Sequence, residues 1–135
     1  MKATDLILGD IVSHNGEVKI VTSIPTEHKV ALQTPHQQYG SIYDTTPLDE
    51  VEPQAITYDL LNRFDFDHIG DDCFEWDNTE FTVTFDFSTY TLVIEQLLGD
   101  GKQVYLKNRL VDIPCTEMHT LRHALLLAGL DIIKF

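Results

Sequence analysis

Residues 65–80, DFDHIGDDCFEWDNTE, bring seven carboxylates, one histidine and one cysteine into sixteen positions without a lysine or arginine. Three roles suit such a stretch: a metal loop, an acidic docking surface, or the solvated edge of a sheet. A calcium-binding EF-hand loop needs oxygen ligands at positions 1, 3 and 5, Gly at 6 and a bidentate Glu at 12. Counted from Asp65, Asp67 and Gly70 obey, but position 5 is Ile69 and position 12 is Trp76, so the motif fails. A closed zinc site takes four ligands, mostly Cys and His, and locally only His68 and Cys73 stand there. The least demanding reading is a wet loop entering a hairpin, with acids outward and Phe74 and Trp76 inward. The docking reading lies between these. Eight acids from Asp65 to Asp86 with no base until Lys102 are denser than solubility requires. It assigns partner contact to Asp65, Asp67, Asp71, Asp72, Glu75, Asp77 and Glu80.

His119 and His123 are four residues apart and share one face of a helix. A zincin places Glu immediately after the first His as general base, and Thr120 stands there instead. A metal held by this pair needs a third ligand, such as Glu117 or the distant His68. Ser13-His14 and Ser41 lack a nucleophile elbow. Cys73 and Cys115 lack the flanks of catalytic thiols and read as structural, although Cys115 beside Pro114 at a helix start has a setting that lowers a thiol pKa. The seven glycines are scattered and form no phosphate-cradling loop. No catalytic residue and no cofactor is assigned, and the balance leans against an enzyme.

Charge narrows the partners. The net charge is −13, and residues 51–100 carry twelve acids against one base, Arg63. Such a field repels nucleic acid and anionic membrane and favours a basic protein surface. The aromatic row Phe81, Phe85 and Phe87, with Tyr90 and Trp76 near it, therefore reads as core, since a base-stacking platform needs a basic surround. No apolar run nears the ~20 residues of a membrane span, and the first ten residues have no apolar signal region. With two cysteines, too few for a disulfide framework, the expectation is a cytoplasmic protein with reduced thiols.

The elements that must position these groups follow from periodicity. Asn15-Gly16 between Ile11-Val12 and Val18–Val21 is a hairpin turn, because both positions of that turn need positive φ. Pro25–His28 marks a second turn, KVALQT a strand, and Ser41–Tyr43 a strand that closes the set. Pro47 and Pro53 bracket LDEVE as a connector. Ile56, Leu60, Leu61 and Phe64 fit one helical face, opened by Thr57 or Pro53. Phe81, Val83, Phe85 and Phe87 alternate strictly, predicting a half-buried strand. The strands TYTLVIEQLL and QVYLKNRLVDI follow, joined by a turn at Gly99–Lys102. Thr116 is placed as N-cap of a last helix with Met118, Leu121, Leu125 and Ala128 inward and Gly129 as its C-terminal stop. The closing DIIKF is read as a short final strand.

Two segments carry a resemblance. LILGDIVSHNGEVKIVTSI, with Leu6, Gly9, Asp10 and Val12, and VEPQAITYDLLNRFDF, with Glu52, Pro53, Ile56, Thr57, Leu60, Leu61 and Phe66, resemble a family of small uncharacterised Bacteroidetes proteins. Its members are often encoded in phage-like or mobile elements, and His119 and Leu121 match its C-terminal helix. Departures are Asp65 for the usual Gly, Gln54-Ala55 in a Pro-Leu pattern, and Arg122-His123 for Gln-Asn. The resemblance implies no activity or ligand. The N-terminal piece is also similar to KOW-type SH3-like barrels, which grip RNA with basic loops, whereas residues 1–50 here are net acidic.

The expected fold is α+β: an N-terminal SH3-like small β-barrel over 1–50, and an antiparallel meander packed with two helices over 51–135, compatible with one compact unit. The expected function is a non-enzymatic protein-interaction module using an acidic surface, as an accessory protein of a mobile element. Two alternatives stand beside it. A DNA-mimic decoy inhibiting a DNA-binding enzyme requires acids spaced along one face. A metal-dependent hydrolase requires His68, His119 and His123 to converge.

Overall fold

The computed structural model describes residues 1–35, 44–99 and 104–135. Its first hairpin turns at the Asn15-Gly16 pair, with φ of 53° and 77°, the left-handed values that a two-residue hairpin turn demands. That turn joins β1 (Ile11–His14) to β2 (Glu17–Thr26), and Glu27-His28 joins β2 to β3 (Lys29–Gln33). β4 (Thr46–Pro47) and β5 (Val51–Pro53) complete an antiparallel sheet in the order β4-β3-β2-β1-β5. The stretch expected to be a connector is in fact structured. Leu48–Glu50 makes one 3-10 turn, and Val51–Pro53 pairs with His14–Val12. The first sheet thus runs past residue 50. Ser41–Tyr43 lie outside the described residues. Among those described, no pairing joins β4 to β5, so the sheet is open rather than the closed barrel expected.

The second sheet follows α1 (Tyr58–Arg63) and runs β6 (Asp67–His68), β7 (Cys73–Asp77), β8 (Phe81–Asp86), β9 (Thr91–Gly99) and β10 (Val104–Pro114), each strand antiparallel to the last. Thr57 caps α1, its hydroxyl accepting from the Leu60 N–H at 3.2 Å, which satisfies one of the orphan donors of the first turn. Asp65, at φ 66°, stops the helix. The Phe66 N–H donates to Leu61 O and the Asp65 N–H to Asn62 O, the paired bonds of a Schellman ending. α2 (Met118–Leu127) ends the same way, with Gly129 at φ 83° and the Leu130 N–H on Leu125 O. Its start differs from expectation: Glu117, not Thr116, holds the cap position, and no side chain caps it. The Met118 N–H instead donates to Gln54 O at 2.8 Å, while the Ile56 N–H donates to Thr116 O. Backbone crossing from residues 54–56 does what a cap would do.

The alternation read in Phe81–Phe87 sets the layers. Phe74, Val83, Phe85, Leu92 and Ile94 turn to one face of the second sheet and are buried against α1 and α2, through Leu60, Leu61, Met118, Leu121 and Leu125. A smaller core of Leu6, Val12, Val21, Val30, Leu48 and Val51 fills the first sheet. DIIKF forms no strand. It packs through side chains: Ile133 is buried, and Phe135 meets Phe64 edge-on at 5.1 Å. The architecture is mixed α+β, with antiparallel sheets and two helices. No helix among the described residues is long and apolar enough to cross a membrane.

Phe85 is fully buried where sheet and helices meet. Phe85→Ala is expected to cost about 3–5 kcal/mol through lost transfer energy and a cavity. Urea unfolding checks it, as a lowered midpoint with an unchanged m-value.

Candidate functional site

The acidic stretch is part strand and part turn. Asp67 lies in β6 and Glu75 and Asp77 in β7, with Asp71 and Asp72 in the turn between the strands and Glu80 in the turn to β8. Since Phe74 faces the core, its neighbours in β7 face outward. The register then gathers a surface: Asp67 stands opposite Glu75, Asp77 opposite Thr82, which stands opposite Glu95, and Asp86 opposite Cys73. Asp112, opposite Val93, adds a sixth carboxylate to this outer face. Its bases among the described residues, Lys107 and Arg109, are both on β10, and Arg109 is held by Asp112 at 3.0 Å and Glu95 at 3.9 Å. The face is therefore polar along the sheet, acidic from β6 to β8 and mixed at β10. Strand spacing of about 4.8 Å and an i,i+2 repeat of about 6.8 Å set the charge lattice.

Individual acids have local tasks as well. Asp65 supplies the left-handed residue that ends α1. Asp72 Oδ1 accepts from the Tyr58 hydroxyl at 2.8 Å, and that bond, with partial burial and the nearby acids, raises the Tyr58 pKa. Asp86 Oδ1 accepts from both Ser88 Oγ (2.6 Å) and the Ser88 N–H (2.8 Å), which lowers its pKa. Asp65, Asp67, Asp71, Asp77 and Glu80 are exposed; Asp72 and Glu75 are half-buried.

The three histidines are not brought together. His68 stacks on Phe74 at 4.6 Å, with Tyr58 edge-on at 5.4 Å, and its Nε2 lies 3.0 Å from Asp71 O. His119 and His123 do share a face of α2, with ring centroids 5.8 Å apart. Among the described residues, no group of three or more His, Cys, Asp or Glu is placed to hold a metal ion.

His123 is instead part of a cluster that sequence reasoning missed. Asp10, just before β1, is 0% exposed. Its Oδ1 accepts from Arg122 Nη1 at 2.8 Å, and its Oδ2 lies 2.7 Å from His123 Nε2 and accepts from the Ile7 N–H at 2.8 Å. A carboxylate beside a guanidinium only accepts, so Nε2 carries the imidazole proton. Gly9 makes room: at φ +92°, a Cβ there would sit 2.6 Å from Arg122 Nη2. His119 is buried beside this group, its Nε2 3.5 Å from Glu117 Oε2 and its Nδ1 without a partner. A buried Asp orienting a His resembles half of a general-base arrangement. Among the described residues, no hydroxyl or thiol hydrogen-bonds to His123, so nothing stands ready as a nucleophile. The cluster is a tie between Asp10 and α2. The signal was two adjacent cation-capable residues on a buried helix, but their partner lies more than a hundred residues away.

No family model, curated protein or solved structure matches the chain.

Two expectations follow. Asp10→Asn leaves the Arg122 guanidinium, 12% exposed, without its counter-charge and should cost about 3–5 kcal/mol. Replacing Asp10, Arg122 and His123 together by Leu, Met and Leu should cost far less, and denaturant unfolding of the two variants distinguishes them. The thiols give a pH test. Burial pushes Cys115 up to about 11, the opposite of the lowering expected from its place at a helix start, and partial burial beside Asp86 raises Cys73. A raised thiol pKa means less thiolate at a given pH. Native labelling by a disulfide reagent at pH 8 should therefore be slow at Cys73 and accelerate above pH 9, with Cys115 reacting only on unfolding. Fast labelling of both at pH 7 would contradict it.

Proposed function

We propose that the protein is a non-enzymatic interaction module whose acidic sheet face docks a basic surface on a protein partner. One observation carries this reading. The outer face of the second sheet collects Asp67, Glu75, Asp77 and Asp86 at fixed spacing, with no base opposite them in register. Carboxylates directly opposite one another, as Asp67 and Glu75 are, destabilise a sheet. Their placement is accounted for by a partner that neutralises them.

In this reading the first sheet is an SH3-like lobe. Support comes from its strand order, the 3-10 turn before β5, and the irregularities that bend the long β2 at Val21 to Ser23 and Ser23 to Thr26. A cytoplasmic setting is supported by two unpaired thiols. A role as accessory protein of a mobile element rests on the sequence resemblance alone. The placement of acids along a face rather than in a loop also favours the decoy reading, in which the face imitates the charge of DNA.

The experiment is capture from host cytosolic extract by the immobilised chain and by a triple variant, Asp67→Asn, Glu75→Gln, Asp77→Asn. The wild type should retain basic proteins at low salt and release them at high salt, because exposed pairs are screened. The triple variant should retain far less. Equal retention by both chains would sink the reading. Release of the captured protein by added duplex DNA would select the decoy; indifference to DNA would select plain docking.

A further inference from the structure

The outermost strand of the second sheet, β10, is 11 residues long and pairs only with β9 among the described residues. Its free edge is a template for another strand. Beside that edge Leu106 is 66% and Leu110 43% exposed. Edges of this kind are usually guarded by lysines and bulges, and both occur here: Lys107, and an irregularity between Arg109 and Val111. A guarding lysine blocks pairing only when the incoming strand offers it no carboxylate.

We propose that β10 is a self-complementary edge through which two copies of this chain pair antiparallel into one continuous ten-stranded sheet. The argument is charge and face complementarity. With the two-fold axis between Arg109 and Leu110, Lys107 of one copy meets Asp112 of the other, and the symmetry makes this contact twice. Leu106 then meets Ile113, also twice, and Asn108 meets Val111. The faces agree. Lys107 and Asp112 pair in β9 with Leu97 and Val93, on the outer side; Leu106 and Ile113 pair with Leu98 and Leu92, on the core side. The irregularity falls at the axis, so each copy presents its own bulge to the other's. Lys107 has no ion-pair partner among the described residues, while Asp112 already holds Arg109. In the pair, Asp112 lies between its own Arg109 and the second copy's Lys107. This inference uses the edge of the sheet and stands apart from the docking role given to Asp67, Glu75 and Asp77.

Sedimentation equilibrium of the full chain across a concentration series tests it. Each copy carries −13, so the series is run in salt that screens beyond about 8 Å. The wild type should approach twice the 15.4 kDa chain mass. Lys107→Asp and Asp112→Lys each set like charges opposite one another twice and should weaken association roughly tenfold or more. The exchange K107D/D112K should restore it. Both positions are exposed, and circular dichroism confirms that the variants fold. A wild type monomeric up to about millimolar concentration overturns the proposal. So does a dimer indifferent to both single variants, or a double variant that fails to recover. A monomeric chain whose β10 takes up another protein's strand counts equally against it.

Discussion

Three consecutive residues hold the two halves of this molecule together. Asp10 turns into the ion pair with α2, Ile11 into the large core, and Val12 into the small one. The period-two alternation of β1 parts Ile11 from Val12 and leaves no freedom to slip by one residue, while Asp10 stands just before the strand, free of that alternation. The charged member carries the strictest demand. A buried carboxylate is costly unless its lone pairs are met, and Asp10 meets Arg122, His123 and the Ile7 N–H within 2.8 Å. Because replacing such a cluster by apolar groups is often close to neutral, its contribution lies in geometry more than in net stability. Two adjacent helix residues read two oxygens of one carboxylate, which fixes both the rotation and the height of α2 against the start of β1.

The small core explains why this tie matters. Six buried apolar residues fill the first sheet, and a lobe well under 70 residues seldom gains more than about 3–5 kcal/mol from its own core. An open sheet with short strands at both edges adds little more. The lobe therefore leans on its neighbours: Ile11 in the large core, Asp10 on α2, and the backbone exchange between residues 54–56 and 116–118. Gly9 belongs to the same arrangement, since its missing Cβ leaves the space that Arg122 occupies.

What was legible in the sequence was local. Asn15-Gly16 announced its hairpin because only positive φ closes that turn. Phe81–Phe87 announced its strand because alternation survives any tertiary context. Gly129 announced how α2 ends. What stayed hidden depended on contacts distant in sequence. β6 has two residues and exists only because β7 pairs with it. Val51–Pro53, bracketed by prolines, becomes a strand because β1 offers an edge. The N-cap misplaced at Thr116 fails because backbone from Gln54 takes the donor first. Among the site residues, the acids were found as a run of composition, but that Asp67, Glu75 and Asp77 share one face with Asp86 and Glu95 required the register of four strands.

That shared face changes what the charge can do. In a mobile loop, acids spread apart and each is screened nearly alone; of the seven, Asp67, Glu75 and Asp77 are instead fixed on strands. On a sheet, neighbours sit about 5–7 Å apart, inside the ~8 Å screening length of physiological salt, so an approaching cation meets several at once. Among the described residues, the ion pairs of this face lie at the far edge, where Arg109 holds Glu95 and Asp112. At the other end, Asp67 and Glu75 stand opposite each other with no cation opposite them in the register. Solubility alone would be served as well by acids on turns and helix ends, without the cost of like charges across a ladder. That cost falls at the edge of the sheet, where the two-residue β6 is held only by its pairing with β7.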